Sequence, residues 1–133
     1  PAARRHKPLA KWLALLMAAA RRDFFLTVQH GQFYQGKPVI GYDLPGFGDE
    51  LCGLPYLPRL IAKARAKLVG SMGDDIIYCC ENDRRFFRDH GNIHPADFLR
   101  VVWAAGDSDP KVYDYVRQRT LSVSSAVPDN EQM

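Results

Sequence analysis

Reactive side chains are concentrated in one stretch of the chain, residues 74–94. Carboxylates, thiols, a phenol and imidazoles in one stretch could provide general acids, general bases, nucleophiles or metal ligands. Residues of these types, with the cations among them, include Asp74, Asp75, Tyr78, Cys79, Cys80, Glu81, Asp83, Arg84, Arg85, Asp89, His90 and His94. We therefore expect a functional site to draw on this stretch.

Asp83 is the first candidate, because it lies where a short helix is expected to begin. If it faces Arg59 or Lys63 of the preceding long helix, its carboxylate is held ionised by charge and hydrogen bonds. Such a pair could orient a polar substrate or act as a general base. The alternative is that Asp83 caps its helix and ties two helices together. The sequence does not separate these interpretations, because the distinction needs geometry.

Cys80 is the candidate nucleophile of the stretch. A thiol beside cationic side chains and near a helix start is readily ionised, and the thiolate is the reactive form. The alternative is that at least one of Cys79 and Cys80 fills a small apolar space in the core. Tyr78 lies two residues before Cys80 and joins the same candidate group.

His90 and His94 are four residues apart and, with Asp89, could suggest a metal site. Gly91 and Pro95 interrupt the helix that would place both imidazoles on one face. The spacing also lacks the His-Glu-x-x-His pattern of zinc peptidases. We predict loop histidines, no metal ligands and no cofactor.

A row of cations, Arg59, Lys63 and Lys67, has the i, i+4, i+8 spacing of one helix face. It could bind phosphate or carboxylate groups, or it could simply be solvated. The glycines between residues 41 and 53 form neither a dinucleotide-binding nor a P-loop pattern, which excludes nucleotide binding of those kinds.

Hydrophobic periodicity indicates the helices that must position these side chains. The clearest is Leu57–Val69, which has one apolar stripe and ends at Gly70, a residue suited to a helix C-terminus. A short helix carrying Phe86 and Phe87 follows. Two further helices are predicted at about residues 95–105 and 109–119.

The first third of the chain is predicted less sharply. Residues 8–22 form an amphipathic helix whose apolar stripe is Leu9, Trp12, Leu13, Leu16 and Ala20. Residues 24–40 are compatible with a short hairpin or with a longer helix. Residues 41–56 are a Gly/Pro loop, and residues 121–133 lack an apolar face and are predicted to be disordered.

These elements predict a mainly α fold: one small helical domain, residues 1–120, of four or five helices. It has a long Gly/Pro loop and room for a short β-hairpin. Residues 1–22 form a leader helix with six cations and no acid, while the remainder has 12 basic and 15 acidic residues. A basic amphipathic leader could contact a membrane surface, nucleic acid or an acidic partner, or it could simply be solvated.

Nucleic acid is not an expected partner, because the body is acidic and carries no recognition motif. The longest uninterrupted apolar run, residues 12–20, is too short to span a bilayer as a helix, so no transmembrane segment is expected. The three cysteines lack a C-x-x-C or zinc-type spacing. They predict free thiols in a reducing compartment, and hence a cytoplasmic protein.

Two boxes in the second half of the chain are distinctive: Leu-Pro-Arg-Leu-Ile-x-Lys at residues 57–63 and Tyr-x-Cys-x-x-Asp-x-x-Phe-Phe at residues 78–87. With their flanking glycines they make about residues 49–117 resemble a bacterial family of domains of unknown function, number five thousand and sixty-nine (DUF5069). The resemblance implies a compact helical fold and no particular reaction. The family usually carries Pro-Leu where Glu81 and Asn82 stand here. This chain also has one extra residue between Phe87 and Ile93.

Three functions of different classes follow as hypotheses. The first is a pocket between helices that binds a small polar molecule and that could perform cofactor-independent acid/base catalysis. Its candidate catalytic residues are Asp83, Tyr78 and Cys80, and its candidate substrate-binding residues are Arg59, Lys63 and Arg84. The second is an interaction module whose leader helix docks on a partner or forms a homodimer through Trp12 and Leu16. The third is a thiol or redox function of Cys79 and Cys80. Whether the protein is an enzyme stays open.

Overall fold

The computed structural model describes the backbone of residues 2–131 and the side chains of residues 11–123. The described backbone forms five helices and one short antiparallel hairpin, which confirms the predicted mainly α fold. In chain order the elements are α1 (Ala2–Thr27), a 3-10 turn (Gly41–Asp43), β1 (Glu50–Leu51), β2 (Leu54–Pro55), α2 (Leu57–Val69), α3 (Glu81–Asp89), α4 (Pro95–Ala105) and α5 (Asp109–Glu131).

Helix α2 is the centre of the fold and has the predicted bounds. It starts with a proline in its first turn, where the missing N–H costs nothing. It ends at Gly70, whose positive φ of 83° suits a residue without a Cβ and whose N–H bonds the carbonyl of Ala66. The predicted apolar stripe is buried against α1, α4 and α5: Leu57, Leu60, Ile61, Ala64 and Leu68.

Helices α4 and α5 close the core from the other side. Phe98, Leu99 and Val102 of α4 and Val112 and Val116 of α5 are almost completely buried. Their burial removes apolar surface from water, which is the main favourable contribution to folding. Within the described residues, no helix is both long and apolar enough to cross a membrane.

Helix α1 is longer than predicted, and its predicted stripe divides between two faces. Ala20 is fully buried, whereas Trp12 and Leu16 are 63% and 42% exposed. The rotation of the helix is set by Phe24, whose ring contacts Trp103 of α4 edge-on at 5.4 Å between centroids. The side chain of Leu9 lies outside the described residues.

The hairpin forms at β1 and β2, and not at residues 24–40, where α1 continues to Thr27. The two residues between the strands explain this location. Cys52 and Gly53 both have positive φ, at 53° and 81°, as the favoured two-residue hairpin turns require. Residues 24–40 contribute a single β-bridge, between Val39 and Met72.

Helix α5 begins at Asp109 as predicted, and its backbone continues to Glu131, past the predicted end at about residue 119. The side chains of residues 124–131 lie outside the described residues, and the disorder expected for residues 121–133 stays a prediction. Residues 132 and 133 lie outside the described residues.

Candidate functional site

A buried ion pair joins α2 to α3. The ammonium Nζ of Lys63 lies 2.7 Å from Oδ2 of Asp83, and the two side chains are 5% and 0% exposed. The expected contact between Asp83 and the cationic row of α2 is thus confirmed for Lys63. Burying two charges costs several kcal/mol of desolvation for each ion, so such a pair is a weak source of net stability.

Asp83 accepts three further hydrogen bonds. Its Oδ2 accepts the backbone N–H groups of Cys79 at 2.9 Å and Cys80 at 3.3 Å, and its Oδ1 accepts the hydroxyl of Tyr56. Because Cys80 is the N-cap of α3 and Asp83 its third residue, the carboxylate also satisfies backbone donors at the helix start. Asp83 is therefore saturated with donors and lies behind the molecular surface.

Two residues reach Asp83 from unusual backbone conformations. Tyr56 and Cys79 have φ values of 76° and 71°, in the left-handed region that favours glycine. Each such residue costs about 1–2 kcal/mol relative to an ordinary conformation. The strained residues are the ones that direct a hydroxyl and a backbone N–H at the Asp83 carboxylate. Strained backbone of this kind often occurs at functional sites.

A cleft of about 210 Å³ opens beside the ion pair, between the start of α2 and the segment that precedes α3. Asp83 does not line it, but three of its partners do. The lining residues are Phe47, Tyr56, Arg59, Lys63, Asp75, Ile76, Ile77, Cys80 and Asn82. The cleft therefore joins an apolar wall to the ammonium, phenol and thiol side chains grouped around one buried carboxylate.

Arg59 lines the cleft, and of the two alternative partners considered for Asp83 it is Lys63, not Arg59, that contacts the carboxylate. Its guanidinium lies over the ring of Phe47, 4.2 Å from the ring centroid, and one Nη donates to the carbonyl of Pro45 at 3.0 Å. Its Nε is buried without a hydrogen-bond partner among the described residues. An unsatisfied buried donor costs about 1–3 kcal/mol.

The two adjacent cysteines have different surroundings. Cys80 lines the cleft, and its Sγ accepts a hydrogen bond from Nζ of Lys63 at 3.4 Å. Burial raises the pKa of the Cys79 thiol, and the Asp83 carboxylate adds to that rise while Arg84 opposes it. The third cysteine, Cys52, is exposed in the hairpin turn, and all three are free thiols.

Tyr78 and Arg84 are not brought into the cleft. Tyr78 is buried, and its hydroxyl donates to the carbonyl of Pro95 at 2.8 Å, which ties the segment before α3 to the start of α4. Burial also raises the pKa of Tyr78 well above its ordinary value. The side chain of Arg84 is exposed on α3. Of the six sequence-predicted site residues, Arg59, Lys63 and Cys80 line the cleft and Asp83 supports it from behind.

Tyr56 is the site residue that the sequence analysis missed. It is the N-cap of α2, outside the helix proper, and its left-handed φ of 76° directs the side chain toward Asp83 in a way that helix spacing does not reveal. Burial, followed by the hydrogen bond to Asp83 and its charge, raises the pKa of the phenol. Tyr56 is therefore a neutral hydroxyl at physiological pH.

The two loop histidines have structural partners. Nδ1 of His94 accepts the N–H of Ala96 at 3.0 Å and so caps α4. The ring of His90 stacks on Phe86 with 4.1 Å between centroids, and its Nδ1 lies 2.8 Å from the carbonyl of the same residue. Within the part of the chain that the structure describes, no group of three or more His, Cys, Asp or Glu side chains is placed to hold a metal ion.

The comparison with known proteins gives one result. A family model described as domain of unknown function DUF5069 matches residues 48–127, more than half of the chain. The chain belongs to this family. Neither a curated protein nor a solved structure matches it.

The DUF5069 segment contains the whole buried cluster: Tyr56, Lys63, Cys80 and Asp83, together with Arg59. Glu81 is the first residue of α3, and Asn82 beside it lines the cleft.

The buried pair generates the first prediction. Lys63→Met should lower the free energy of unfolding by about 3–5 kcal/mol, because Asp83 is left buried without its counter-ion. Adding Asp83→Asn should recover part of this loss, since an amide needs no counter-ion and its oxygen still accepts the backbone N–H groups. Urea denaturation of the two single variants and the double variant measures the coupling.

Lys67→Met is the matched control, because it removes the cation one turn further along α2, which forms no ion pair among the described residues. Its effect should stay below about 1 kcal/mol. If the losses of Lys63→Met and Asp83→Asn simply add in the double variant, the two side chains are not coupled and the buried pair does not organise the site.

The tyrosines generate a prediction about alkaline pH. The pKa values of Tyr56 and Tyr78 are raised in the folded state above the unfolded value of about 10. Their contribution to stability is therefore complete below about pH 10 and is lost as the pH rises above it, because only the unfolded chain then releases these protons. Tyr78→Phe should flatten the alkaline decline of the unfolding free energy, as measured by urea denaturation across that range.

Tyr42→Phe serves as the control, because Tyr42 is 94% exposed and should leave the decline unchanged. A decline as steep in Tyr78→Phe as in the unaltered protein would show that groups other than Tyr78 cause it.

Proposed function

We propose that the cleft binds a small polar molecule and performs acid/base chemistry on it without a cofactor. The observation that carries this proposal is the buried Lys63–Asp83 pair, whose partners Tyr56 and Cys80 line the cleft with Lys63 itself. A pair that costs desolvation and contributes little net stability is easier to explain where its groups also act on a ligand.

Lys63 is the candidate proton donor. Its ammonium has three N–H donors. One donates to the Asp83 carboxylate and one to the Cys80 sulfur, so the third can donate to a molecule in the cleft. The neighbouring carboxylate holds the ammonium in place. Asp83 is thus a positioning residue, because it is completely buried and does not line the cleft.

Cys80 and Tyr56 supply the other two functional groups. The Cys80 sulfur, which accepts from Lys63, can take a proton from a ligand or attack it as a nucleophile. The Tyr56 hydroxyl donates to Asp83, so its oxygen presents lone pairs to a donor on the ligand. Burial and Asp83 keep this phenol neutral, which suits a hydrogen-bonding role more than proton release.

The volume of the cleft limits the ligand. The cleft has a volume of about 210 Å³. Drug-sized molecules and nucleotides occupy pockets of roughly 300–1,000 Å³. The ligand that we propose is therefore a small metabolite.

The burial of Cys79 argues against a redox role for the adjacent cysteines Cys79 and Cys80. Burial raises the pKa of Cys79, which disfavours its thiolate, and adjacent cysteines rarely form a disulfide with each other. We therefore assign thiol chemistry to Cys80 alone. The three free thiols support our further proposal that the protein works in a reducing compartment such as the cytoplasm.

The proposal predicts that native mass spectrometry of the protein, incubated with a small-metabolite extract, detects a non-covalent adduct that is lost on denaturation. Asn82→Trp should abolish the adduct, because Asn82 lines the cleft and an indole would fill it. Gln118→Trp, at an exposed position on α5, should leave the adduct unchanged. An adduct that survives in Asn82→Trp, or its absence from the unaltered protein, would contradict the proposal.

A second candidate function is self-association through α1, which the exposed apolar face of the helix favours. Trp12, Leu15 and Leu16 are 63%, 59% and 42% exposed on one face, where consecutive turns place them together. Exposed clusters of large apolar side chains often mark interaction sites. We propose that a second copy of the chain covers this face.

Self-association predicts a dimer in size-exclusion chromatography with light scattering, and a monomer for the double variant Trp12→Ser, Leu16→Ser. The control is Leu121→Ser, which removes an exposed leucine, 52% accessible, from α5. A monomeric mass for the unaltered protein at high concentration would refute the candidate.

A further inference from the structure

We infer that the molecule bound in the cleft is a small carboxylate and that Arg59 binds its carboxylate group. This inference rests on the proposed function and names the chemical class of its ligand. It follows from the state of the Arg59 guanidinium, the size of the cleft and the position of the second cation.

Arg59 is a half-buried cation that has no counter-ion within the described part of the chain. In that part its guanidinium donates one hydrogen bond, to the carbonyl of Pro45, and its buried Nε–H has no acceptor. A guanidinium with five donors that served only to hold the loop would be expected to use more of them.

The neighbouring charges define where an anion would lie. Lys63 is one helical turn away on α2, but its charge is balanced by Asp83. Asp75 also lines the cleft, and its carboxylate accepts the N–H of Gly41. Among the described residues, Arg59 is the cation of the cleft that forms no ion pair, so an anionic group is attracted to Arg59 and repelled by Asp75.

A carboxylate is the anion that we assign to Arg59. The planar guanidinium can donate two parallel hydrogen bonds to the oxygens of a carboxylate, and one face of it is already covered by the ring of Phe47. A cleft of about 210 Å³ leaves room for a carboxylate with a short carbon skeleton. With its anionic end at Arg59, the rest of such a molecule extends toward Lys63 and Cys80, which line the same cleft.

Alkylation of Cys80 tests this inference with two reagents that differ in charge. Iodoacetate carries a carboxylate and iodoacetamide a neutral amide; in both, the thiol sulfur forms a bond to the methylene carbon, iodide leaves and the thiol proton passes to solvent. The rate ratio of iodoacetate to iodoacetamide at Cys80, divided by the same ratio at exposed Cys52, isolates the preference for the carboxylate. Peptide mass spectrometry over time measures both sites in one sample.

We expect the normalised ratio to be about tenfold, which corresponds to about 1.4 kcal/mol of preference. Arg59→Met should bring it to within about twofold of unity, whereas Arg59→Lys, which keeps the charge, should retain part of it. Arg88→Met, which removes an exposed cation from α3, is the control and should not change it. Acetate should slow alkylation of Cys80 by iodoacetamide more than inorganic phosphate does at equal ionic strength.

The outcomes separate this inference from the proposed function. If Cys80 reacts with iodoacetamide but shows no preference for iodoacetate, or if Arg59→Met keeps the preference, the carboxylate assignment is overturned and the cleft remains accessible. Stronger protection by phosphate than by acetate also overturns the assignment. If Cys80 reacts with neither reagent until the protein is denatured, the cleft does not admit small molecules and both proposals fail.

Discussion

The ion pair between Lys63 and Asp83 constrains everything around it. A carboxylate that is completely buried must be surrounded by donors, and this requirement fixes the position of α3 against α2. It also explains why the chain accepts left-handed backbone at Tyr56 and Cys79, since each of these residues supplies a donor to the same carboxylate. The geometry of the cleft is thus a consequence of satisfying one buried charge.

The same constraint gives the cleft its chemical character. The Asp83 carboxylate balances the charge of Lys63 from the buried side. The ammonium can therefore contact a ligand while its charge stays paired within the protein. The cations of the cleft are held differently. The ammonium of Lys63 is hydrogen-bonded to the Asp83 carboxylate and the Cys80 sulfur, whereas the guanidinium of Arg59 lies over the Phe47 ring and donates to the carbonyl of Pro45.

The sequence was sufficient to predict α2, because helix periodicity fixes which residues share a face. It offered the contact of Asp83 with the cationic row of α2 only as a hypothesis beside helix capping. It could not decide between Arg59 and Lys63, which are one turn apart and equally spaced for the contact. Tyr56 was missed because its role depends on a left-handed φ that spacing does not reveal. Trp12 and Leu16 were placed correctly on a helix, but its rotation is set by Phe24 against Trp103, a contact distant in sequence.

The burial of Ala20 has a consequence for the limits of the folding unit. The DUF5069 match begins at residue 48, after α1 has ended, yet Ala20 is fully enclosed and Met17 and Phe24 pack against the core. The residues matched by the family and the residues that fold together are therefore different sets. In this chain, α1 covers a surface of α2 and α4, two helices within the matched residues. The folding unit therefore includes a helix that precedes the family match.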